Sequence, residues 1–389
     1  MAHKIKNADQ IYFTKDHHMV RQALGDFVKK EVNPHVDQWE ADGIAPLKDL
    51  FKKMGKLGFL GIRYDSRYGG QGLDYWYDTI FLEELGHIKA LGLSVAIAVQ
   101  THMATPAIDE FGSEDLKKRY LKAAIAGEMI GAIAVTEPDA GSDVAALATT
   151  AKKDGDDYVV NGSKIYITNG TQADFFTLLA RTSEAPGYHS FSLLVVPASL
   201  PGVKIGRKLE KLGTHISDTA ELFFDNVRVP ARNLIGREGE GFIYQMKQFQ
   251  HERFALLPFA YIAARDIIDM TVGHIRQRVV FNKPLIKRQV LRHRLANWLT
   301  EIECLKHLVY HIVRMKEAGL DATKEISMGK VVAGKLLTEV ADGCLQMYGG
   351  LGFMNEMLIS RYYRDARGLP IAGGAEEVML DYIAQMEGF

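Results

Sequence analysis

Two short stretches combine residue types suited to holding a planar, electron-rich ring. In Val135-Thr136-Glu137-Pro138-Asp139-Ala140-Gly141-Ser142-Asp143 a strand-like run enters a turn rich in small and hydroxyl residues. Such a loop can aim backbone N–H groups and Thr or Ser hydroxyls at a ring edge or a phosphate, although the same composition also makes plain turns. In Ile165-Tyr166-Ile167-Thr168-Asn169-Gly170 the two-residue alternation of a strand puts Tyr166 and Thr168 on one side. An aromatic face beside a hydroxyl suits a planar heterocycle; an ordinary core Tyr also fits the pattern.

Other candidates carry less. Gly329-Lys330-Val331-Val332-Ala333-Gly334-Lys335 resembles a phosphate loop, but Leu336 stands where a Mg²⁺-binding Ser or Thr belongs, and the run lies in a helical pattern rather than after a strand. Cys304, His307 and His311 share a helix face at steps of three and four residues. No fourth ligand accompanies them, so a buried cysteine beside two partly exposed histidines is expected and no metal is assigned. No G-x-G-x-x-G follows a strand-like run and no G-x-S-x-G is present, so a Rossmann dinucleotide site and a serine hydrolase both lack support.

The elements that must position these residues fall into three regions. From about residue 14 to 127, apolar residues recur at helical steps, as in Val20, Ala23, Leu24, Phe27 and Val28. Breaks at Asn33-Pro34, Asp42-Gly43 and Tyr68-Gly69-Gly70-Gln71-Gly72 leave room for at least four helices. Around Val135 short β-type runs begin, punctuated by Asp154-Gly155, Asn161-Gly162 and Asn169-Gly170. Asn-Gly tolerates the positive φ of a two-residue hairpin, which places a hairpin turn at Asn161-Gly162. Runs at 175–180, 191–196 and 220–224 complete a small barrel or sandwich ending near Pro230. From Gly241 long helical segments return, near 241–273, 287–318 and 324–348, and suggest an antiparallel bundle. The expected fold is mainly α with a central β domain, divided as 1–127, 128–236 and 237–389.

The 389 residues, 47% hydrophobic and 24% charged, have the profile of an ordinary enzyme, and at roughly 150 residues per domain they make about two to three domains. A formal charge of −1 and no long basic run argue against nucleic acid as the main partner. The apolar stretch 90–99 is cut by Gln100, far short of the ~20 residues of a membrane span, so none is expected. The leading MAHKIKNADQ lacks the marks of a secretory or organelle leader, and Cys304 and Cys344 are the only cysteines. A cytoplasmic, or already processed, chain is the expectation.

The two ring-holding stretches together resemble the acyl-CoA dehydrogenase family, and further similar stretches follow in order: Arg278-Val279-Val280-Phe281, Gln289 and Gln346-Met347-Tyr348-Gly349-Gly350-Leu351-Gly352-Phe353. The resemblance covers nearly the whole chain. It implies an N-terminal helical domain, a middle β domain and a C-terminal four-helix bundle, with FAD as cofactor. Val135 and Thr136 would meet the isoalloxazine edge, Ser142 the pyrophosphate or CoA side, and Thr168 the N5 region. Tyr166 would supply the stacking face where the family usually has Trp. Arg278, Phe281, Gln289, Gln346 and Gly350 would contact the FAD of a neighbouring subunit, implying a dimeric unit and a dimer of dimers. Acyl-CoA is the implied substrate and an electron-transfer flavoprotein the implied acceptor.

The family reaction removes a proton beside a thioester carbonyl and passes hydride from the β-carbon to the flavin, so it requires a carboxylate made basic by an apolar site. In most members this Glu follows a Tyr near the C-terminus, but the similar stretch here is Ile371-Ala372-Gly373-Gly374-Ala375-Glu376-Glu377, with Gly373 at the base position. A minority, resembling long-chain, isovaleryl-CoA and citronellyl-CoA dehydrogenases, carries the base on an earlier helix just before an Arg. Phe249-Gln250-His251-Glu252-Arg253 is similar to that pattern, which implies Glu252 as base. Without the resemblance a surface carboxylate on a long helix would be the plain reading.

The same resemblance gives Arg253 and Gly374 to the acyl-CoA, with Gln250 in place of an Asp that contacts pantetheine, and lets Gly373 donate its backbone N–H to the thioester carbonyl. Glu376 and Glu377 are decoys for the base, Glu377 facing the flavin neighbourhood. Ala372-Gly373 is smaller than Tyr-Glu and should open space for a medium- to long-chain or branched acyl group. The Tyr166 departure keeps open a flavin oxidase or monooxygenase, and a non-catalytic flavoprotein is a third reading.

Overall fold

The computed structural model describes residues 11–389; MAHKIKNADQ, and with it the expectation about a leader, lies outside the described residues. The first region comprises α1 (Lys15–Phe27), α2 (Val36–Asp42), α3 (Leu47–Lys56), α4 (Tyr75–Leu85), α5 (Leu91–Ala98), α6 (Pro106–Phe111), α7 (Glu114–Leu116) and α8 (Lys122–Ile125). Local chemistry starts these helices where they start. Thr14 Oγ1 accepts from His17 N at the head of α1, and Asp74 accepts from Trp76 N and Tyr77 N at the head of α4. α3 buries Leu47, Leu50, Phe51 and Met54, an i, i+3, i+4, i+7 stripe. Of the periodic set near α1, Leu24, Phe27 and Val28 are buried, whereas Ala23 faces outward.

Helical structure runs past Gln100, and the stretch Leu91–Phe111 is long and apolar enough to cross a membrane, yet it lies almost wholly inside the molecule. The core tolerates Gln100 because its amide is fully used: Nε2 donates to Ala124 O and Met129 O, and Oε1 accepts from Gly131 N.

The sheet contains β1 (Gly131–Ala134), β2 (Thr150–Asp154), β3 (Asp157–Thr168), β4 (Phe175–Arg181), β5 (Phe191–Pro197), β6 (Val203–Lys208), β7 (Thr219–Pro230) and β8 (Leu234–Ile235). Their order is β6-β7-β3-β2-β4-β5-β8, with β1 parallel to β4. β2 and β4 are joined by one residue pair, Thr150 with Arg181. The sheet folds over at that seam as a sandwich: Tyr158, Val160 and Leu222 from one half share a core with Phe176, Leu178 and Val196 from the other. β4 is buried on both faces, because the alternate residues Phe175 and Leu179 pack with Ile108, Tyr120 and Leu121 of the helical region.

The hairpin turn is not at Asn161-Gly162. β2 and β3 pair from Thr150↔Asn161 to Asp154↔Asp157, so the chain reverses at Gly155, whose φ is 62°. Asn161-Gly162 lies inside β3, where pairing with β7 slips by a residue. Glycine is needed there because a Cβ would fall 2.5 Å from Thr149 Oγ1.

The last region holds α9 (Gly241–Gln277), the two-residue strands β9 (Val279–Val280) and β10 (Lys283–Pro284), then α10 (Gln289–Glu317), α11 (Thr323–Tyr348), α12 (Leu358–Ala366) and α13 (Glu376–Glu387). α9 runs unbroken through Pro258, and every residue from Arg253 to Tyr261 is buried. A helix covered on all sides is a core helix. α9, α10 and α11 pack on one another, with α12 and α13 against α11. Their apolar faces merge with those of α1–α5 into one core, so the two ends of the chain fold together. Asp365 of α12 accepts from Leu91 N and Thr214 N and so ties the bundle to both other regions.

Candidate active site

β1 and β3 deliver the two stretches expected to hold the ring. Lys164, fully buried on β3, donates from Nζ to Val135 O and to Glu137 Oε1, both at 2.8 Å. Glu137 also accepts from Ala148 N and Thr149 N, and Ile165 N donates to Thr136 O. Burial alone would raise the Glu137 carboxyl, but Lys164 and these donors hold it below its ordinary value. Burial pulls Lys164 down to about 8 against the same partner. The loop after β1 is thus pinned from beneath. Val135 is buried, Thr136 half-buried and Ser142 exposed. Tyr166 is 65% exposed and Thr168 half-buried, with Ile167 buried between them. The alternation does not extend back to Lys164, because pairing slips between Lys164 and Ile167 and Tyr166 takes φ 61°.

Glu252 projects from the first third of α9 against the turn that precedes α13. Its Oε1 lies 3.3 Å from where a Cβ on Gly373 would sit, and Leu256 Cδ1 lies 3.0 Å from the same point. A methyl group on Gly373 would therefore press on Leu256 and Glu252. Gly373 and Gly374 hold φ of 70° and 103°, which glycine alone adopts freely. Burial raises the Glu252 carboxyl above its ordinary value, while Arg253 and Lys330 oppose the rise. Arg253 Nε donates to Gly373 O at 3.2 Å, and Lys330 Nζ donates to Leu369 O at 2.7 Å and Gly374 O at 3.3 Å. Among the described residues no acceptor lies on the Gly373 N–H. Gln250 is half-buried. Glu376 pairs with Lys335 at 3.0 Å, and Glu377 is exposed in the first turn of α13.

A largely buried polar chain reaches α9 at His251, the residue before Glu252. Asp78 sits 3.1 Å from both Arg63 Nε and His102 Nε2, and Arg63 Nη2 reaches His251 Nδ1 at 3.4 Å. Burial pushes His251 well below its ordinary value, with Arg63 adding to the effect, so it is neutral. Burial would raise Asp78, but His102 and Arg63 bring it down to about 2.

Arg278, Gln346 and Gly350 come together elsewhere, in an open concavity of about 500 Å³ that His274, Tyr348 and Leu351 also line. Phe281 follows the lining residue Val280 and is 86% exposed, and Gln289 is exposed at the start of α10. None of Val135, Thr136, Ser142, Tyr166, Thr168, Glu252 or Gly373 lines this concavity.

The descriptions "Acyl-CoA dehydrogenase, N-terminal domain", "middle domain" and "C-terminal domain" match residues 14–128, 132–227 and 239–387. The chain is 38% identical over 376 residues to the mitochondrial long-chain specific acyl-CoA dehydrogenase of Sus scrofa, covering 96% of this chain and 86% of that protein. It is 37% identical over 368 residues to an acyl-CoA dehydrogenase of Bacillus subtilis, covering 95% and 97%. The crystal structure of acyl-CoA dehydrogenase from Geobacillus kaustophilus is similar with a TM-score of 0.93 at 41% identity, covering 97% of this chain and 99% of that one. The chain belongs to the acyl-CoA dehydrogenase family.

Acyl-CoA dehydrogenases are FAD-dependent oxidoreductases acting on acyl-CoA, and the fold described above is theirs. The donor chemistry here fits that cofactor. Backbone amides and hydroxyls of the loop after β1, with Thr168, suit a polar ring edge, while Arg278, Gln346 and the glycine backbone of the concavity suit phosphates. Cys304 is exposed rather than buried, and His307 Nδ1 meets Tyr12 Oη at 3.3 Å; no cluster able to hold a metal occurs among the described residues.

Three features of this acyl-CoA dehydrogenase escaped sequence reasoning: the Lys164–Glu137 pair, the Arg63–Asp78–His102–His251 chain, and Lys330. For Lys330 a signal existed. Ile326, Lys330, Ala333 and Leu337 are all buried at helical steps of four, three and four, so the lysine stands on the core face.

Proposed function

We propose that this enzyme oxidises an acyl-CoA thioester to the trans-2-enoyl-CoA, with Glu252 as the base. The observation that carries the reading is the half-buried Glu252 carboxylate set against Gly373, with its proton affinity raised by desolvation. FAD, when bound, accepts the β-hydrogen as hydride. Glu252 takes the α-proton, and a carboxylate of raised proton affinity takes it more readily. The Gly373 N–H donates to the thioester carbonyl oxygen, where removing one such donor typically costs ~3 kcal/mol. Arg253 supports that donor by gripping the Gly373 carbonyl. Ser142, Gln250, Arg253 and Gly374 form the acyl-CoA side.

Val135, Thr136, Tyr166 and Thr168 serve the flavin ring, and Arg278, Phe281, Gln289, Gln346 and Gly350 serve the FAD of a neighbouring subunit. The separation of these two sets within one chain favours a homo-oligomer, read as a dimer of dimers. The Glu252 position and the likeness to a long-chain enzyme favour a medium- to long-chain or branched acyl group. An electron-transfer flavoprotein is the proposed acceptor, and the two unpaired cysteines suit the cytoplasm.

Anaerobic flavin bleaching by straight and branched acyl-CoAs tests the reading. Glu252→Gln should bind FAD yet bleach about 10²–10⁴-fold more slowly. The natural enzyme should lose rate as pH falls through the Glu252 value, which burial holds above that of an ordinary carboxyl, because the protonated acid is no base. A Glu252→Gln enzyme that bleaches at the natural rate removes the assignment, and the panel itself decides the acyl class.

A further inference from the structure

We infer that Lys330 is a positioning residue of this site: from the core face of α11 it clamps the 369–374 turn by two carbonyls and presents a fixed positive charge to the Glu252 carboxylate. The inference rests on Glu252 being the base. Lys330 is 1% exposed, and a lysine so placed needs its ammonium satisfied. It is satisfied by Leu369 O and Gly374 O, on a turn without regular structure. Arg253 holds the carbonyl of Gly373 between them. Two cations thus fix three carbonyls of one short turn and leave the Gly373 N–H without an acceptor among the described residues. An apolar residue on α11 could fill the volume, but it could not supply this bonding.

The charge has a second effect. Lys330 Cε lies 3.7 Å and Glu252 Oε1 3.3 Å from the same point, the place of a Cβ on Gly373, so the two side chains converge there. The charged groups facing them are few. Arg253 comes from α9, and Glu376 comes from α13 with its own partner in Lys335. Tyr382 of α13 faces Arg253. Burial drives Glu252 towards the protonated acid, and Arg253 and then Lys330 oppose that drive. Burial lowers Lys330 itself to about 8, which leaves it charged at neutral pH. Lys330 therefore joins Arg253 in opposing protonation of the base and holds the turn that carries the carbonyl donor.

The test is the pH dependence of anaerobic bleaching in FAD-loaded Lys330→Arg, Lys330→Gln and Lys330→Met enzymes. Losing the charge favours the protonated acid, so the Gln and Met variants should move the acid limb upward by about one pH unit. The Met variant, which also loses the clamp, should fall about tenfold on the plateau, while Arg stays within about threefold of natural on both measures. An unmoved limb in both charge-free variants, or an Arg variant as impaired as Met at equal FAD content, overturns the inference. Should Met fail to hold FAD, Gln decides alone: a raised limb supports the inference and an unmoved one defeats it. The base assignment fails separately, by Glu252→Gln bleaching at the natural rate; if that variant is dead while the Lys330 limbs stay put, only the role of Lys330 falls.

Discussion

At position 373 the absence of a single methyl group sets the geometry. Gly373→Ala would force an L-residue into a left-handed backbone, costing ~1–2 kcal/mol, and would push its Cβ against Leu256 and Glu252. Gly155 offers the control, since its φ of 62° is similar while a Cβ there meets nothing within 4 Å. Both variants should melt earlier by a similar amount in thermal denaturation. Only Gly373→Ala should slow flavin bleaching, by about tenfold or more if the Cβ displaces a transition-state donor or the base. Equal bleaching by the two would mean that the close contacts at Gly373 are without consequence for catalysis.

Among the elements, β3 does more than complete a sheet, because its Lys164 fixes the loop that β1 delivers. Lys164→Met leaves Glu137 buried beside no cation, and breaking such a pair costs about 3 kcal/mol or more. Urea unfolding should show that loss and the variant should retain less flavin. Lys164→Met with Glu137→Gln should recover much of the stability, since the stranded charge is then gone. The sequence disclosed what periodicity can carry: the helical run of α9 is legible straight through Pro258, and the β4 and β5 runs stand out as apolar blocks. It did not disclose which glycine turns the β2–β3 hairpin, because Gly155 and Gly162 both follow good turn formers and only pairing with β7 keeps Asn161 inside the strand. Lys164 was hidden for a related reason. A lysine reads as surface until the carbonyls that receive it are brought together from distant segments. Glu252 as a candidate base was suggested only by the likeness at Glu252-Arg253 and the glycine at 373, and the Arg63–Asp78–His102–His251 chain joins four segments with no shared spacing.

Across the whole molecule, α1–α5 and the C-terminal bundle share one core, so neither end is a detachable module. What is divided is the set of candidate cofactor residues. Arg278, Gln346 and Gly350 line a concavity to which Glu252 and the loops of β1 and β3 contribute nothing. If each flavin is held between two chains, a defect in one group and a defect in the other are not equivalent, and each can be supplied by a partner. Glu252→Gln and Arg278→Glu, each inactive alone, should then complement when unfolded and refolded together. Random pairing of equal amounts gives one sound site in half of the dimers, hence about one quarter of natural activity. Recovery would make the unit of function a pair of chains, and a genetic cross between two dead alleles would yield a living enzyme.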